Sequence, residues 1–379
     1  MLNVCVVFGG TSSEHEVSLR SATSVLENMD KNKYNIMMLG ITKSGRWLCY
    51  TGPVDMIVSG AWQNSAYTRP AIISPDRHQR GLYLYASEGG MPTSDQLRRR
   101  IITGASPFEE ARLLPVDVVF PVLHGKFGED GTIQGLFELA GIPYVGSDVL
   151  SSAACMDKAF TQAVLEHAGI KKTKMIALRY YDVIHMDETR RRLELELGYP
   201  MFVKPANAGS SVGVTKVKGP EELEDAFKCA FRHDRKIVVE QMVKGQEVEC
   251  AVMGNDDPIA SDVVGEIAPT HEFYDYEGKY LDDSTELYIP AHIPHETARK
   301  VRETAVKAYA AMGCRGLARV DFFVKENGDV VLNEVNTLPG FTSISMYAKL
   351  FIASGVSYAE VVDRLIAYAL EPKSVAVED

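Results

Sequence analysis

The segment Gly316–Asn336 constrains this chain more than any other. It reads Gly-Leu-Ala-Arg-Val-Asp-Phe-Phe-Val-Lys-Glu-Asn-Gly-Asp-Val-Val-Leu-Asn-Glu-Val-Asn. Asn327-Gly328 stands between two apolar-rich runs, which is the strongest short-range hairpin signal. A two-residue turn there sets Glu326 opposite Asp329. The register then sets Asp321 opposite Glu334 and Arg319 opposite Asn336. Strand side chains alternate faces, so these four share one face. Opposed Cβ atoms lie roughly 5 Å apart. Two carboxylates that close repel unless something cationic sits between them. Oxygen ligands on a rigid hairpin suit Mg2+ or Mn2+, which keep waters and also take phosphate oxygens. The expectation is a divalent-metal site that presents a nucleotide's phosphates. Acidic residues on a hairpin are more commonly just solvated. Here the flanking Val320, Phe322, Val324, Val331 and Leu332 argue for a strand buried on at least one side.

The bulk numbers set the frame. The chain has 379 residues, enough for two or three domains. A net charge of −11 argues against a general nucleic-acid binder, which needs a basic surface. The six cysteines are scattered without a Cys-x-x-Cys pair, which fits reduced thiols in a cytoplasmic protein. There is no signal-peptide pattern, and no run approaches the ~18 apolar residues of a membrane span.

Apolar runs at residues 3–8 and 34–41 flank a helical pattern over 11–29. This strand–helix–strand start implies a parallel sheet. Residues 51–112, with Arg98-Arg99-Arg100, read as an elaborated crossover. A strand over 116–123, a helix over 132–140 and a strand over 141–145 follow. A helix then runs from near Ser147 through Lys158. Residues 201–205 and 213–217 suggest an antiparallel pair, and 237–243 a further strand. Beyond them come a strand over 248–253, a polar loop of roughly 270–286, a helix over 295–312 and a last helix near 357–370.

Four other stretches carry chemistry. Ala206-Asn-Ala-Gly-Ser-Ser-Val-Gly213 is a small-residue loop that lets backbone N–H groups and hydroxyls wrap phosphates, with Lys204 just before it as a point charge. It lacks the Gly-Lys-Ser/Thr of a Walker A loop. Val239–Val243 leads out of a strand, offering backbone groups to an adenine edge, with Glu247 in reach of ribose hydroxyls; a solvated linker is an equal alternative. Glu14 and His124 stand at the carboxyl ends of two strands, where open α/β sheets bind ligands. The loop His271–Tyr280 has the polar, aromatic, aperiodic composition of a lid, with Lys279 and Tyr280 able to reach a closed site.

Together these motifs closely resemble the D-alanine–D-alanine ligases of the ATP-grasp superfamily. The most specific stretches are Phe8–Ser18, His124–Gly131, Gly209–Gly213 and Asn333–Ser343, and the resemblance covers almost the whole chain apart from 51–112. It implies an α/β, three-domain ATP-grasp architecture: an N-terminal parallel-sheet domain (1–146), a central domain (147–244) and a C-terminal domain (245–379) with a lid at about 268–288. It implies ATP-dependent joining of two D-alanines through an acyl phosphate, for peptidoglycan precursor synthesis. Asp321, Glu334 and Asn336 match the metal ligands for Mg2+ or Mn2+, with Glu334 bridging two ions. Lys158 and Lys204 match phosphate-binding lysines, and Lys279 a lid lysine. Ser210, Ser211, Glu240, Val243, Glu247 and Phe323 fall in the ATP-binding set. Glu14 matches the anchor of the first substrate's ammonium. Arg319 and the Gly340 N–H match the oxyanion donors. His124, Ser345 and Met346 fall in the substrate-binding set. Ser210 and Tyr280 match the hydrogen-bonded pair linking Glu14 to the lid. The lid pattern is like the dipeptide-forming type, with Gly278 in place of the more usual Ala. D-alanine and ATP are the implied partners, with neither nucleic acid nor membrane, and a homodimer stays open. The competing expectations are a D-lactate or D-serine ligase of the same fold and a non-catalytic ATP-binding module.

Overall fold

The computed structural model describes residues 1–64, 66–85, 112–268, 286–342 and 344–372. Most of the expected lid, with Lys279 and Tyr280, lies outside the described residues, as does Arg98-Arg99-Arg100.

Three sheets follow one another along the chain. The first has seven strands: β1 (Leu2–Gly9), β2 (Tyr34–Ile41), β3 (Trp47–Tyr50), β4 (Thr68–Ile73), β5 (Gly81–Leu84), β6 (Arg112–Pro115) and β7 (Val118–Leu123). β1 is a continuous apolar run because both its faces are covered. Val4, Val6 and Phe8 pack with Leu19, Ala22 and Val25 of the helix His15–Asn28. Cys5 and Val7 pack with Phe137 and Ala140 of the helix Thr132–Ala140.

β1 pairs in parallel with β2 and β7, as the strand–helix–strand pattern predicts. The sheet is nonetheless mixed. β3, β4, β5 and β6 extend it antiparallel, so the described part of 51–112 adds strands to the sheet within the elaborated crossover that joins β2 to β7 on the other side of β1. Their short, interrupted apolar runs carry no strong periodic signal. The expected strand at 141–145 is reduced to a single bridge between Val119 and Tyr144.

The second sheet, ordered β10-β9-β11-β8, comprises β8 (Met175–Arg179), β9 (Met201–Pro205), β10 (Thr215–Val217) and β11 (Lys236–Gln241). β9 and β10 flank the Gly/Ser loop antiparallel, as expected. The helix expected from 147 through Lys158 is instead two helices, Val149–Met156 and Lys158–His167. Asp157 divides them, its carboxylate accepting the N–H groups of Ala159 and Phe160 at 3.0 and 3.2 Å.

The third sheet contains β12 (Gln246–Gly254), β13 (Ile259–Ala260), β14 (Gly265–Ala268), β15 (Glu286–Tyr288), β16 (Gly316–Val324) and β17 (Val330–Asn336). Val248, Cys250 and Val252 of β12 and Ala318, Val320 and Phe322 of β16 pack on Val301, Ala305 and Tyr309 of the helix His295–Ala311. That buries one face of each strand and leaves the alternate positions for the site.

The β16–β17 hairpin pairs Asp321 with Glu334 and Arg319 with Asn336, as expected, but by a different route. The tip is a three-residue loop, Glu326–Gly328, rather than a two-residue turn. Lys325 N–H donates to Asp329 O at 2.9 Å and Gly328 N–H to Lys325 O at 2.8 Å. Gly328 takes φ +78, the left-handed residue that such loops use. This shifts the tip by one residue, so that Val324 faces Val330. A bulge at Asn333 shifts the register back before Glu334. The two displacements cancel.

Among the described residues no helix is long and apolar enough to cross a membrane. All six cysteines are free, including Cys155 and Cys314, whose sulfurs lie 3.9 Å apart.

Candidate active site

The alternate positions of β12, β16 and β17 form a polar floor. Glu247 lies opposite Phe323, Glu249 opposite Asp321, and Asp321 opposite Glu334. This floor borders a cavity of about 260 Å3 that Glu14, His124, Glu129, Ser210, Gly340, Ser345 and Met346 also line.

Arg319 is the cation beside Asp321 in this structure. Its Nε and Nη2 donate to the two Asp321 oxygens at 2.8 and 2.7 Å, and Nε also lies 3.1 Å from a Glu249 oxygen. Burial opposes the charge of this guanidinium, but Asp321 and Glu249 outweigh it and hold its pKa well above the ordinary value. Asn336 Nδ2 donates to Asp321 at 2.9 Å. Among the described residues no three His, Cys, Asp or Glu side chains form a metal-binding group by themselves. Asp321, Glu334 and the amide oxygen of Asn336 still make an all-oxygen donor set, which fits a hard divalent cation.

The opposite wall is built from loops. Glu14 precedes the helix His15–Asn28 and is buried, 6% exposed. Ser210 Oγ donates to its carboxylate. A Cβ on Gly125 would stand 2.3 Å from Glu14 Oε2, and one on Gly209 2.8 Å from it. Glycine at both positions therefore lets two backbones close around one carboxylate. Ser210 and Ser211 take φ +47 and +58, an uncommon conformation for residues with a side chain. Such strain is held where the surroundings demand the geometry.

His124 is buried with both ring nitrogens engaged. Nδ1 lies 3.0 Å from Leu338 O, and Nε2 lies 3.0 Å from Ser21 Oγ. Burial lowers its pKa to about 4, outweighing the Leu338 carbonyl, and Arg319 adds to the fall. A neutral ring donates from Nδ1 and accepts from Ser21. Ser21 Oγ accepts Phe341 N–H at 3.1 Å. His124 thus ties the Leu338–Phe341 segment, with Gly340, to the first sheet. Ser345 Oγ accepts Thr342 N–H at 3.0 Å and lies where a Cβ on Gly340 would be only 2.6 Å away. Met346 is buried against Gly265.

The lysines gather beside the Gly/Ser loop. Lys158 Nζ donates to Ala208 O at 2.7 Å. Lys204 of β9 and Glu240 of β11 form a 2.5 Å ion pair. Burial acts against both charges, but each offsets it for the other: the lysine pKa is raised and the glutamate pKa lowered. Neither lines the main cavity, and Val243 lies in the connection between β11 and β12.

Three residues near the site were not singled out from sequence. Glu129 accepts Gly125 N–H at 2.7 Å. Burial first, then the neighbouring Glu14 and Glu334 charges, raise its pKa to about 8. It lies inside the His124–Gly131 stretch, so a signal existed. Glu249 was visible in the Glu247-Val-Glu249 alternation on β12. Lys172 sits outside any strand or helix and left no periodic trace.

Two family models match the chain: "D-ala D-ala ligase N-terminus" over residues 3–147 and "D-ala D-ala ligase C-terminus" over residues 164–367. The D-alanine–D-alanine ligase of Ruminiclostridium cellulolyticum is 50% identical, covering 97% of this chain and 95% of that relative. The one from Acetivibrio thermocellus is 48% identical, covering 97% and 96%. Among solved structures, the VanG D-Ala:D-Ser ligase of Enterococcus faecalis matches with TM-score 0.84 and 41% identity over 97% of this chain and 99% of its own. The D-alanine–D-alanine ligase of Coxiella burnetii matches with TM-score 0.78 and 33% identity over 97% and 95%. The fold is therefore ATP-grasp. With matches running from residue 3 to residue 367 and relatives near half identity over almost the full length, this chain belongs to the D-alanine–D-alanine ligase family.

Proposed function

We propose that this protein joins two D-alanines into D-alanyl-D-alanine with conversion of ATP to ADP and phosphate, as a cytoplasmic step of peptidoglycan precursor synthesis. One observation carries this reading. A buried carboxylate, Glu14, and a half-buried guanidinium, Arg319, border the same cavity as Gly340 and Ser345. An ATP-binding module has no need of an ammonium anchor and an oxyanion site together, whereas amide ligation needs both.

In this reading Glu14, oriented by Ser210, holds the ammonium of the first D-alanine. The carboxylate oxygen of that D-alanine attacks the γ-phosphorus, ADP leaves, and a D-alanyl phosphate forms. The amine of the second D-alanine, having lost a proton, attacks the acyl carbon, and phosphate departs. Arg319 and the Gly340 N–H stabilise the tetrahedral oxyanion, the group that gains charge in that step. Ser345 takes the second carboxylate, and His124 keeps the Gly340 segment in place. Lys158 and Lys204 receive phosphate oxygens, while Val243, Glu247 and Phe323 frame the nucleoside. Asp321, Glu334 and Asn336 would hold Mg2+ or Mn2+, one ion or two, which neutralises phosphate charge. Three sheets that occupy separate stretches of sequence support a reading of three domains with borders near 146 and 244.

The test is ADP release with D-alanine alone, then with D-serine or D-lactate competing as second substrate. The similarity to a D-Ala:D-Ser ligase makes D-serine the sharper competitor. Highest kcat/KM with D-alanine near pH 7 is expected. A preference for D-serine or D-lactate, or no ATP turnover with D-alanine and Mg2+, overturns the reading.

A further inference from the structure

We propose that Lys172 is a third phosphate-binding lysine, its ammonium meeting the triphosphate of bound ATP beside Lys158. The proposal rests on the ATP-dependent reading above and deepens it.

Lys172 lies in the connection between the helix Lys158–His167 and β8. This connection is fastened to the metal-side hairpin. Lys172 forms a parallel bridge with Leu332 of β17, and Leu332 N–H donates to Lys171 O at 2.9 Å. The lysine is thereby fixed next to the strand segment that carries Glu334. It lines a cleft with Lys158, Glu129, Gly209, Glu334 and Asn336, four of which also line the main cavity.

The charges of this cluster are unevenly answered. Lys204 has Glu240 at 2.5 Å, and the Lys158 ammonium donates to the Ala208 carbonyl. Lys172 is half-buried and makes neither an ion pair nor a side-chain hydrogen bond among the described residues. A half-buried ammonium without a contact partner is costly. Burial pulls its pKa down to about 8, the Glu240 and Glu334 charges oppose this, and Lys204 and Lys158 push it further down. A polyanion entering between Lys158 and Lys172 relieves that repulsion and supplies the missing acceptor oxygens. The tether to β17 fixes the backbone of Lys172 beside Glu334, so only its side chain has to order when the nucleotide arrives.

The experiment compares the full-length wild type with K172M, K172Q and K172R by calorimetric titration of ATP and AMP, with melting curves to confirm folding. K172M and K172Q are expected to weaken ATP about 10-fold, the scale of one charge-assisted hydrogen bond. AMP affinity should stay within about twofold, because the lost contact is to the distal phosphates. K172R, which keeps the charge, should retain ATP affinity within about threefold. Equal weakening of ATP and AMP, or unchanged ATP affinity in K172M and K172Q, overturns the proposal. A wild type that binds ATP but forms no D-alanyl-D-alanine overturns the ligase reading alone. A wild type without ATP affinity overturns both.

Discussion

The two walls of the cavity are built on opposite principles. The floor of β12, β16 and β17 places Glu249, Asp321, Arg319, Glu334 and Asn336 by strand register, so neighbours in space follow from spacing in sequence. The facing wall places Glu14, His124, Ser210 and Gly340 by loops at strand ends, brought together across separations of about a hundred residues or more. On the floor, a side chain's position depends on pairing that many backbone hydrogen bonds maintain. On the wall, it depends on a few contacts, such as Ser210 with Glu14 or His124 with Leu338, and on glycines that leave room for them. Substitution on the floor should therefore change charge and leave geometry intact. Substitution on the wall should change geometry first.

The largest effect is expected for Glu334→Gln, which keeps shape and removes charge. Turnover should fall by on the order of 10²-fold or more and recover in part as Mg2+ is raised, read as initial rate against Mg2+ concentration. Near-normal rates at low Mg2+ would contradict a metal role for the floor. Arg319→Ala should lower kcat by about 10²-fold, the scale of one oxyanion donor. A change confined to KM would assign Arg319 to ground-state binding instead.

Gly125→Ala probes the wall. A methyl group there meets Glu14 Oε2 at a backbone φ of +70. KM for the first D-alanine should rise about 10-fold with kcat less affected, since about 1.4 kcal/mol of displaced ammonium contact is tenfold. An unchanged KM would mean that Glu14 does not read that ammonium.

The smallest effect is on stability against pH. His124 has its pKa lowered to about 4 from an ordinary 6.5. The unfolded chain then binds more protons than the folded one between these values, so stability falls as pH drops from about 6.5 to 4. His124→Asn should flatten that part of the profile in denaturant titrations. An equal slope in both proteins would place the pH dependence elsewhere.

Much of the floor was legible because strand periodicity is local. Asn327-Gly328 announced the hairpin, and the spacing of Arg319 and Asp321 on one strand and Glu334 and Asn336 on the other announced its polar face. The turn is one residue longer than the Asn327-Gly328 pair predicts, and the Asp321–Glu334 pairing survives because the Asn333 bulge restores the register. The wall was legible only through family resemblance. Nothing in the spacing of Glu14, Gly125 and Gly209 says that one carboxylate sits against two glycines. The strands β4 to β6 were not legible because they are short and their apolar runs are interrupted.

By itself the sequence determined the three-part order of elements, the apolar strands β1 and β7, and an acidic hairpin face that requires a cation. These depend on periodicity within a few residues. Only the tertiary structure decided which cation stands beside Asp321, namely Arg319 held between Asp321 and Glu249. It alone decided that His124 is a neutral tether and that Lys172 lines a cleft with Lys158 and Glu334. Such facts depend on burial and on charges distant in sequence, and a pKa or an ion pair is fixed by what surrounds a group in space.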